Sequence, residues 1–234
     1  MVLFHGCLTQ MLDAEVLRCA QTVLHRFGVE IITPSEQACC GGLHRDAGET
    51  EMADRLCATN RQALAVDGAE AIVTLASGCG ARLAQDLALP GLPVLDIHDY
   101  LARLPLPESL ELAPLHQRVS VQDPCSLRNS LRAEQSVYAL LRRIPSLGVE
   151  PLAENQFCCG GAGLYLLREP ALADQLRAPK LNALRQSMPD LLVSANLGCA
   201  LHLAAGLRTR DLAIPVMHPL VLFERQLRQR PRLS

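Results

Sequence analysis

One pattern of cysteines and glycines occurs twice in this chain, and it constrains the fold more than any other feature. Each copy has a single cysteine, then the string Cys-Cys-Gly-Gly, then a Gly-Cys pair. The gaps are 31 and 38 residues in the first copy and 32 and 39 in the second. The cysteines are Cys7, Cys39, Cys40 and Cys79 in the first copy, and Cys125, Cys158, Cys159 and Cys199 in the second. Such a repeat predicts one structural unit used twice.

Other matches support the same alignment. Residues 28–30 and 148–150 both read Gly-Val-Glu, and Ala53-Asp54 corresponds to Ala173-Asp174. A stretch rich in proline and leucine, typical of a connection, lies between the copies. We therefore predict a first repeat over 1–104, a linker over 105–117 and a second repeat over 118–234.

Each repeat reads as alternating strands and helices. The expected strands of the first repeat are 2–4, 29–33, 71–76 and 94–97, and those of the second lie near 119–121, 149–152, 191–195 and 216. The expected helices of the first repeat are 13–27, 49–66, 81–87 and 98–104. Strands that alternate with helices predict an α/β fold of two pseudo-symmetric Rossmann-like halves. Each half should have a mainly parallel sheet of about four strands, flanked by helices.

In this scheme the repeated cysteines all follow strands. They should therefore converge at the carboxyl edge of each sheet, where open α/β sheets bind ligands. Cys79 and Cys199 should also lie near helix N-termini, where backbone N–H groups stabilise a thiolate. Thiolates are preferred ligands of iron–sulfur clusters and of zinc, so the sequence predicts two metal centres, and the paired glycines should let the backbone turn beside them.

Other polar and thiol groups fit less specific roles. Cys19 and Cys57 have no thiol counterpart in the other copy, so we expect small buried side chains there. His5 aligns with Asp123, and either could lie beside a metal centre or give up a proton. His44, which aligns with Gly163, has an equally uncertain role, and His202 and His218 fit core or surface positions better than a cluster contact. The sequence identifies no catalytic residue.

Composition narrows the class of protein. Of 234 residues, 49% are hydrophobic and the net charge is −2, so a core can form and a concentrated basic surface for nucleic acid is not expected. No apolar run reaches the ~20 residues of a membrane span, and the first residues lack the features of a secretion signal. We therefore expect a cytoplasmic protein, whose ten cysteines serve metal or redox chemistry rather than disulfides.

Several strings resemble a known family. They are Ala-Ser-Gly-Cys-Gly at 76–80, Asp-Pro-Cys-Ser-Leu at 123–127, Cys-Cys-Gly-Gly-Ala-Gly at 158–163 and Ala-Asn-Leu-Gly-Cys at 195–199. Over essentially its whole length the chain resembles the cysteine-rich CCG domain found in the disulfide-reducing subunit of heterodisulfide reductase. It also resembles the iron–sulfur subunits of glycolate and lactate oxidation systems. Its strings are most similar to the carboxyl-terminal half of the glycolate oxidase iron–sulfur subunit.

The resemblance implies that the eight repeated cysteines hold two iron–sulfur clusters. A complete motif of the heterodisulfide reductase type has a fifth cysteine, which corresponds here to Ala76 and Asn196. Four thiolates suffice for a [4Fe-4S] or a [2Fe-2S] cluster, whereas the noncubane [4Fe-4S] form of that family is in question. A missing ligand could leave an iron position open, and Asn196 could form a hydrogen bond there.

The chain has no Cys-x-x-Cys-x-x-Cys run of the ferredoxin type. The resemblance therefore implies a separate ferredoxin-like iron–sulfur subunit, and a flavoprotein subunit, as partners. Three functions remain open. The first is a heterodisulfide reductase-like subunit that passes electrons between a partner's clusters and a thiol or disulfide. The second is an electron-transfer subunit of a 2-hydroxy-acid oxidase, and the third is a zinc-stabilised scaffold without enzymatic activity.

Overall fold

The computed structural model describes residues 1–230, which form two α/β halves; the last four residues of the predicted second repeat, 231–234, lie outside the described residues. Strands and helices are numbered in chain order. The strands are β1 (Val2–Phe4), β2 (Ile72–Thr74), β3 (Val94–Asp96), β4 (Leu110–Leu112), β5 (Arg118–Gln122), β6 (Gly148–Pro151), β7 (Leu191–Ser194), β8 (Val216–Met217) and β9 (Leu227–Gln229). The helices are α1 (Cys7–Leu12), α2 (Ala14–Arg26), α3 (Gly42–Asp46), α4 (Thr50–Leu64), α5 (Ser77–Asp86), α6 (Ile97–Arg103), α7 (Glu134–Leu141), α8 (Tyr165–Arg168), α9 (Pro170–Ser187), α10 (Leu197–Arg208) and α11 (Pro219–Gln226). A π-helix, Ser126–Leu131, follows Cys125.

Each half has its own parallel sheet. The first sheet has the order β1-β2-β3 and the second the order β6-β5-β7-β8. The central strands β2 and β7 are buried along their whole length, as expected for parallel strands covered by helices on both faces. The predicted fold class is therefore confirmed.

The segment 29–33, predicted as a strand, is reduced to a single parallel bridge between Ile32 and Val2. Ile32 donates to the Met1 carbonyl and accepts from the Leu3 N–H, and these two bonds hold it at the edge of the first sheet. Pro34 has no N–H and cannot continue the ladder. When this bridge is included, the first sheet has the order Ile32, β1, β2, β3 and the second has the order β6, β5, β7, β8. In both halves the second segment along the chain therefore lies at the edge, beside the first.

The stretch predicted as a linker contains a strand. β4 pairs antiparallel with β9 at the far end of the chain. The sequence did not indicate this strand, because its three residues lie between turn-forming prolines and its partner is more than a hundred residues away. The linker is therefore joined to the end of the second repeat, and the exact repeat boundaries stay a prediction.

The largest apolar core draws on both halves. α2 packs against α11, and α6 packs against α7. Phe27, at the end of α2, lies with its ring centroid 6.4 Å from that of Phe223 in α11. Smaller apolar clusters lie within each half. Because the main core is shared, the halves hold each other in a defined arrangement.

Candidate metal centres

The first group of cysteines gathers at the carboxyl edge of the first sheet. Cys7 begins α1 just after β1, and Cys79 lies in the first turn of α5 just after β2. The Sγ atoms of Cys7 and Cys39 are 3.3 Å apart, and Cys40 is within hydrogen-bonding reach of Cys79. The Gly41 N–H donates to the Cys39 sulfur over 3.5 Å. Three separate chain segments thus bring four thiols to one edge.

The second group repeats this arrangement in the other half. Cys125 precedes the π-helix, and Cys199 lies in the first turn of α10. The Sγ atoms of Cys159 and Cys199 are 3.0 Å apart, and Cys125 lies beside Cys158. The N–H groups of Gly160 and Gly161 donate to the Cys158 and Cys159 sulfurs over 3.3 and 3.4 Å.

The glycines of the Cys-Cys-Gly-Gly strings are needed for close approach to protein backbone. Gly160 has a φ of +81°, and a Cβ atom there would lie 2.3 Å from the Ala173 carbonyl oxygen. A Cβ on Gly161 would lie 2.8 Å from the Gly198 carbonyl oxygen. The tight turn that the sequence indicated is present, and its closest neighbours are the backbones of α9 and α10.

Hydrogen bonds among the thiols set their acidity. The pKa of Cys158 is lowered by its contacts with the Cys125 and Cys159 thiols and by the Gly160 N–H, which donates to its sulfur. The pKa of Cys159 is raised by its hydrogen bonds with Cys158 and Cys199 and by burial. In the first group, burial and the contact with Cys39 raise the pKa of Cys7. Cys158 is therefore the sulfur of the second group that most readily carries negative charge.

The donor chemistry fits a thiolate-bound group rather than a mixed-ligand ion site. All ten cysteines are free thiols, and the eight repeated ones lie in the two groups. Within residues 1–230, no three His, Cys, Asp or Glu side chains are arranged to hold one metal ion. Soft all-sulfur sets of this kind are typical of iron–sulfur and zinc proteins.

The two groups are connected across the interface between the halves. The hydroxyl oxygens of Ser77 and Ser126 are 2.8 Å apart, and Asn196 Nδ2 donates to Ser77 Oγ over 3.3 Å. Ser77 precedes Cys79 by two residues, and Ser126 directly follows Cys125. A short polar chain thus joins chain segments that carry cysteines of both groups. Sequence reasoning missed the two serines, because their contacts cross between the repeats.

The side chain of Asn196 has a structural role. Its Oδ1 accepts from the Cys199 N–H over 3.3 Å and caps α10, while its Nδ2 donates to Ser77. Ala76, its counterpart in the first half, precedes α5 without a side-chain cap. The sequence suggested that Asn196 could form a hydrogen bond at an open iron position. In the structure its side chain instead bonds to the start of α10 and to Ser77 of the first half.

The other candidate polar residues are mostly held by protein contacts. Asp123 accepts from the Tyr138 hydroxyl and from Asn155 Nδ2, both at 3.0 Å, and burial raises its pKa. His202 Nε2 lies 3.2 Å from the Ala173 carbonyl oxygen. His218 Nε2 lies 3.0 Å from the Leu75 carbonyl oxygen, across the interface. His202 and His218 are therefore core residues, as the sequence favoured.

Two of the remaining candidates lie in the first half. His5 is half-buried, which lowers its pKa, and its Nε2 has no hydrogen-bond partner among residues 1–230. His44 lies in α3, two residues after the last glycine of the first Cys-Cys-Gly-Gly string. Cys19 is buried in the main apolar core, whereas Cys57 is buried in a smaller cluster that also contains Cys40 and is packed against Cys39 and Cys79.

Sequence reasoning also missed Lys180. It lies in α9 and is fully buried, and its Nζ donates to the Glu154 carbonyl over 2.7 Å. Burial lowers the pKa of Lys180, and the nearby thiols of Cys159 and Cys199 partly offset this effect. One signal was available: it is the chain's only lysine among 22 basic residues.

Comparison with known proteins gives a consistent family match. The model of a family described as a cysteine-rich domain, CCG, matches residues 1–84 and 119–204. One subunit of the fumarate reductase (CoM/CoB) of Methanothermobacter marburgensis is 30% identical over 225 residues, covering 94% of this chain and 45% of that protein. The glycolate oxidase iron-sulfur subunit of Escherichia coli is 31% identical over 222 residues, covering 89% of this chain and 54% of that protein. The chain thus spans about half the length of these two relatives.

A further relative has nearly the same length. Lactate utilization protein A of Bacillus pumilus is 26% identical over 231 residues, covering 92% of this chain and 95% of that protein. Among solved structures, a hypothetical protein from Helicobacter pylori superposes with a TM-score of 0.65 at 13% identity, over 96% of this chain and 48% of that one. This likeness shows the fold alone.

Within residues 1–230, no helix has the length and hydrophobicity to cross a bilayer.

Proposed function

Because the chain belongs to the cysteine-rich domain family, we propose that it is an iron–sulfur redox subunit of a multi-subunit oxidoreductase, with one cluster in each half. The observation that carries this proposal is the gathering of four thiols from three chain segments at the carboxyl edge of each sheet. The ligands would be Cys7, Cys39, Cys40 and Cys79 in the first half, and Cys125, Cys158, Cys159 and Cys199 in the second.

The surrounding residues suit this task. A bound cluster would take up and release one electron at a time. The backbone N–H groups of Gly41, Gly160 and Gly161 donate to cysteine sulfurs and so stabilise negative charge on them. Four thiolates per site suit a [4Fe-4S] or a [2Fe-2S] cluster. The serine and asparagine contacts hold the cysteine-bearing segments of the two halves together.

The substrate class that we favour is a thiol or disulfide, in a heterodisulfide reductase-like complex. The cysteine pattern supports this class, as does the likeness to one subunit of a fumarate reductase whose name includes CoM and CoB. In this proposal a ferredoxin-like iron–sulfur subunit and a flavoprotein subunit are partners, and the complex works in the cytoplasm. Electrons would pass between the partner's clusters and the substrate through the two cysteine groups.

A second candidate is electron transfer in 2-hydroxy-acid oxidation. The likeness to a glycolate oxidase iron-sulfur subunit favours it, as does the match in length to a lactate utilization protein. Isolation of the complex from its native cells separates the two candidates. Reduction of the bound clusters by glycolate or lactate would favour the second, whereas reoxidation of reduced clusters by a disulfide would favour the first.

Anaerobic reconstitution tests the proposal itself. The wild-type chain should take up iron and sulfide as two clusters, about eight iron atoms per chain if both are [4Fe-4S], with Mössbauer spectra that identify the type. Cys40→Ala and Cys159→Ala should each lose about half of the iron. Cys19→Ala is the matched control, because Cys19 is buried outside both groups, and it should retain all of the iron. Zinc without sulfide would instead support a structural scaffold.

A further inference from the structure

The chain's single lysine lies inside the protein beside the second cysteine group. Lys180 has no exposed surface, which is rare for a lysine. Its Nζ donates to the Glu154 carbonyl, in the segment that leads to Cys158 and Cys159. Within residues 1–230 no carboxylate forms an ion pair with it. The ammonium group therefore lies close to the chain segment that carries Cys158 and Cys159, without a directly paired carboxylate.

The equivalent position in the first half is neutral. The repeat offset is 120 residues in this helix, as in the matches of Ala53 with Ala173 and Leu64 with Leu184, so Lys180 corresponds to Asn60. Asn60 is also fully buried, and its Nδ2 donates to the Cys39 carbonyl over 2.9 Å. Both residues hold the backbone near a Cys-Cys string. Only the second brings a positive charge.

Other charges near the two groups are largely balanced. In the first half Arg82 pairs with Asp86, and in the second Arg177 pairs with Asp174. Asp123 lies near the second group, but its oxygens accept from Tyr138 and Asn155 rather than from Lys180. Arg128, three residues after Cys125, is a further cation near the second group; it is half-buried and donates to the Asn155 and Gln156 carbonyls. Lys180 differs from it in having no exposed surface, so its charge is the less screened by solvent.

We propose that Lys180 raises the reduction potential of the second site above that of the first, so that the first electron entering the loaded protein resides at the second site. This inference rests on the proposed function. A reduced cluster carries one more negative charge than the oxidised form, and a positive charge in a medium of low dielectric constant stabilises it. Asn60 offers no such stabilisation. Electrons would then move from the first half toward the second.

A redox titration with dithionite, followed by electron paramagnetic resonance, tests this inference. Cys40→Ala and Cys159→Ala each retain one site and so assign the signals. In the wild type the second site should be reduced first. Lys180→Met removes the charge at similar side-chain length. We expect the reduction potential of the second site to fall by at least about 59 mV, which for one electron is a tenfold change in the oxidised-to-reduced ratio. The potential of the first site should not change.

Lys180→Arg keeps the positive charge and so separates the effect of charge from the effect of an altered side chain. At a given potential, its oxidised-to-reduced ratio at the second site should stay within threefold of the wild-type ratio. Equal shifts in Lys180→Met and Lys180→Arg would overturn the inference, as would no shift in Lys180→Met. If Lys180→Met fails to load the second site, the order of reduction in the wild type decides: a first site that is reduced first overturns the inference. A wild-type chain that binds no iron and sulfide contradicts the proposed function itself, and two clusters reduced in the wrong order contradict only this inference.

Discussion

At the scale of single residues, the glycine that follows Cys158 and Cys159 shows why the Cys-Cys-Gly-Gly string is so restricted. Gly160 combines a left-handed φ with direct backbone contact to α9. Gly28 has a similar φ of +73°, but nothing lies within 4 Å of the position its Cβ would take. An alanine at Gly28 would meet only the strain of the left-handed backbone conformation. An alanine at Gly160 would meet that strain and a steric clash as well.

We expect Gly28→Ala to lower the free energy of unfolding by about 1 kcal/mol, since only the left-handed conformation is penalised. Gly160→Ala should lower it by about 3 kcal/mol or more, because a Cβ 2.3 Å from the Ala173 oxygen forces the backbones apart. Urea unfolding of the metal-free chain measures both. Equal losses in the two variants would show that the contact with α9 can relax.

Sequence analysis named eight candidate ligands, which stay a prediction, but did not identify the residues around them. The eight cysteines could be identified because duplication and spacing are visible in one dimension. The contact of Ser77 with Ser126 could not, because it depends on how the two halves pack. Lys180 belongs to no spacing motif. We single it out because it is buried, and it becomes buried only when α9 packs in the folded protein.

At the scale of secondary-structure elements, the predictions succeeded where one hydrophobic pattern dominates. β2 and β7 are apolar except for the last residue of each, Thr74 and Ser194, and they lie within the segments predicted as strands. β4 was missed because its existence depends on pairing with β9. The π-helix after Cys125 was also not indicated, since its hydrogen-bond pattern has no distinct sequence signal.

Asn196 at the start of α10 gives a test at this scale. Asn196→Ala removes the acceptor for the Cys199 N–H and should lower the free energy of unfolding by about 1 kcal/mol. Asn196→Asp keeps an acceptor that caps well and should stay close to the wild type. Thermal and urea unfolding of the metal-free proteins measure the difference. If Asn196→Asp loses as much as Asn196→Ala, the Nδ2 contact with Ser77 matters more than the cap.

At the scale of the whole molecule, a pair of equivalent histidines marks the interface between the halves. His98 and His218 are 120 residues apart, the same offset as Cys79 and Cys199, and their rings stack with centroids 5.0 Å apart. His98 Nδ1 lies 2.5 Å from Asp96 Oδ1, and His218 contacts the first half through the Leu75 carbonyl oxygen. The duplicated unit thus meets its own copy near a pseudo-twofold axis.

The environment of His218 predicts acid sensitivity of this interface. Its pKa is lowered well below the ordinary 6.5 by burial and by the neighbouring His98. Nδ1 accepts from the Leu220 N–H and Nε2 faces the Leu75 oxygen, so the neutral ring satisfies both contacts. Protonation would break the contact with Leu220 and place a cation beside His98. Asp96, the nearest carboxylate in this cluster, is already bonded to His98.

Below pH 6.5 the unfolded chain binds a proton at His218 that the folded chain does not. The free energy of unfolding should therefore fall as the pH drops from 6.5 toward the folded pKa, by up to about 1.4 kcal/mol per pH unit from this group. His218→Gln removes the titration, so its unfolding free energy should depend less steeply on pH between 6.5 and 5, measured by urea unfolding of the metal-free protein. His25→Gln, on the exposed side of α2, is the matched control and should keep the wild-type slope. A His218→Gln variant as steep as the wild type would show that the acid sensitivity arises elsewhere than at the interface.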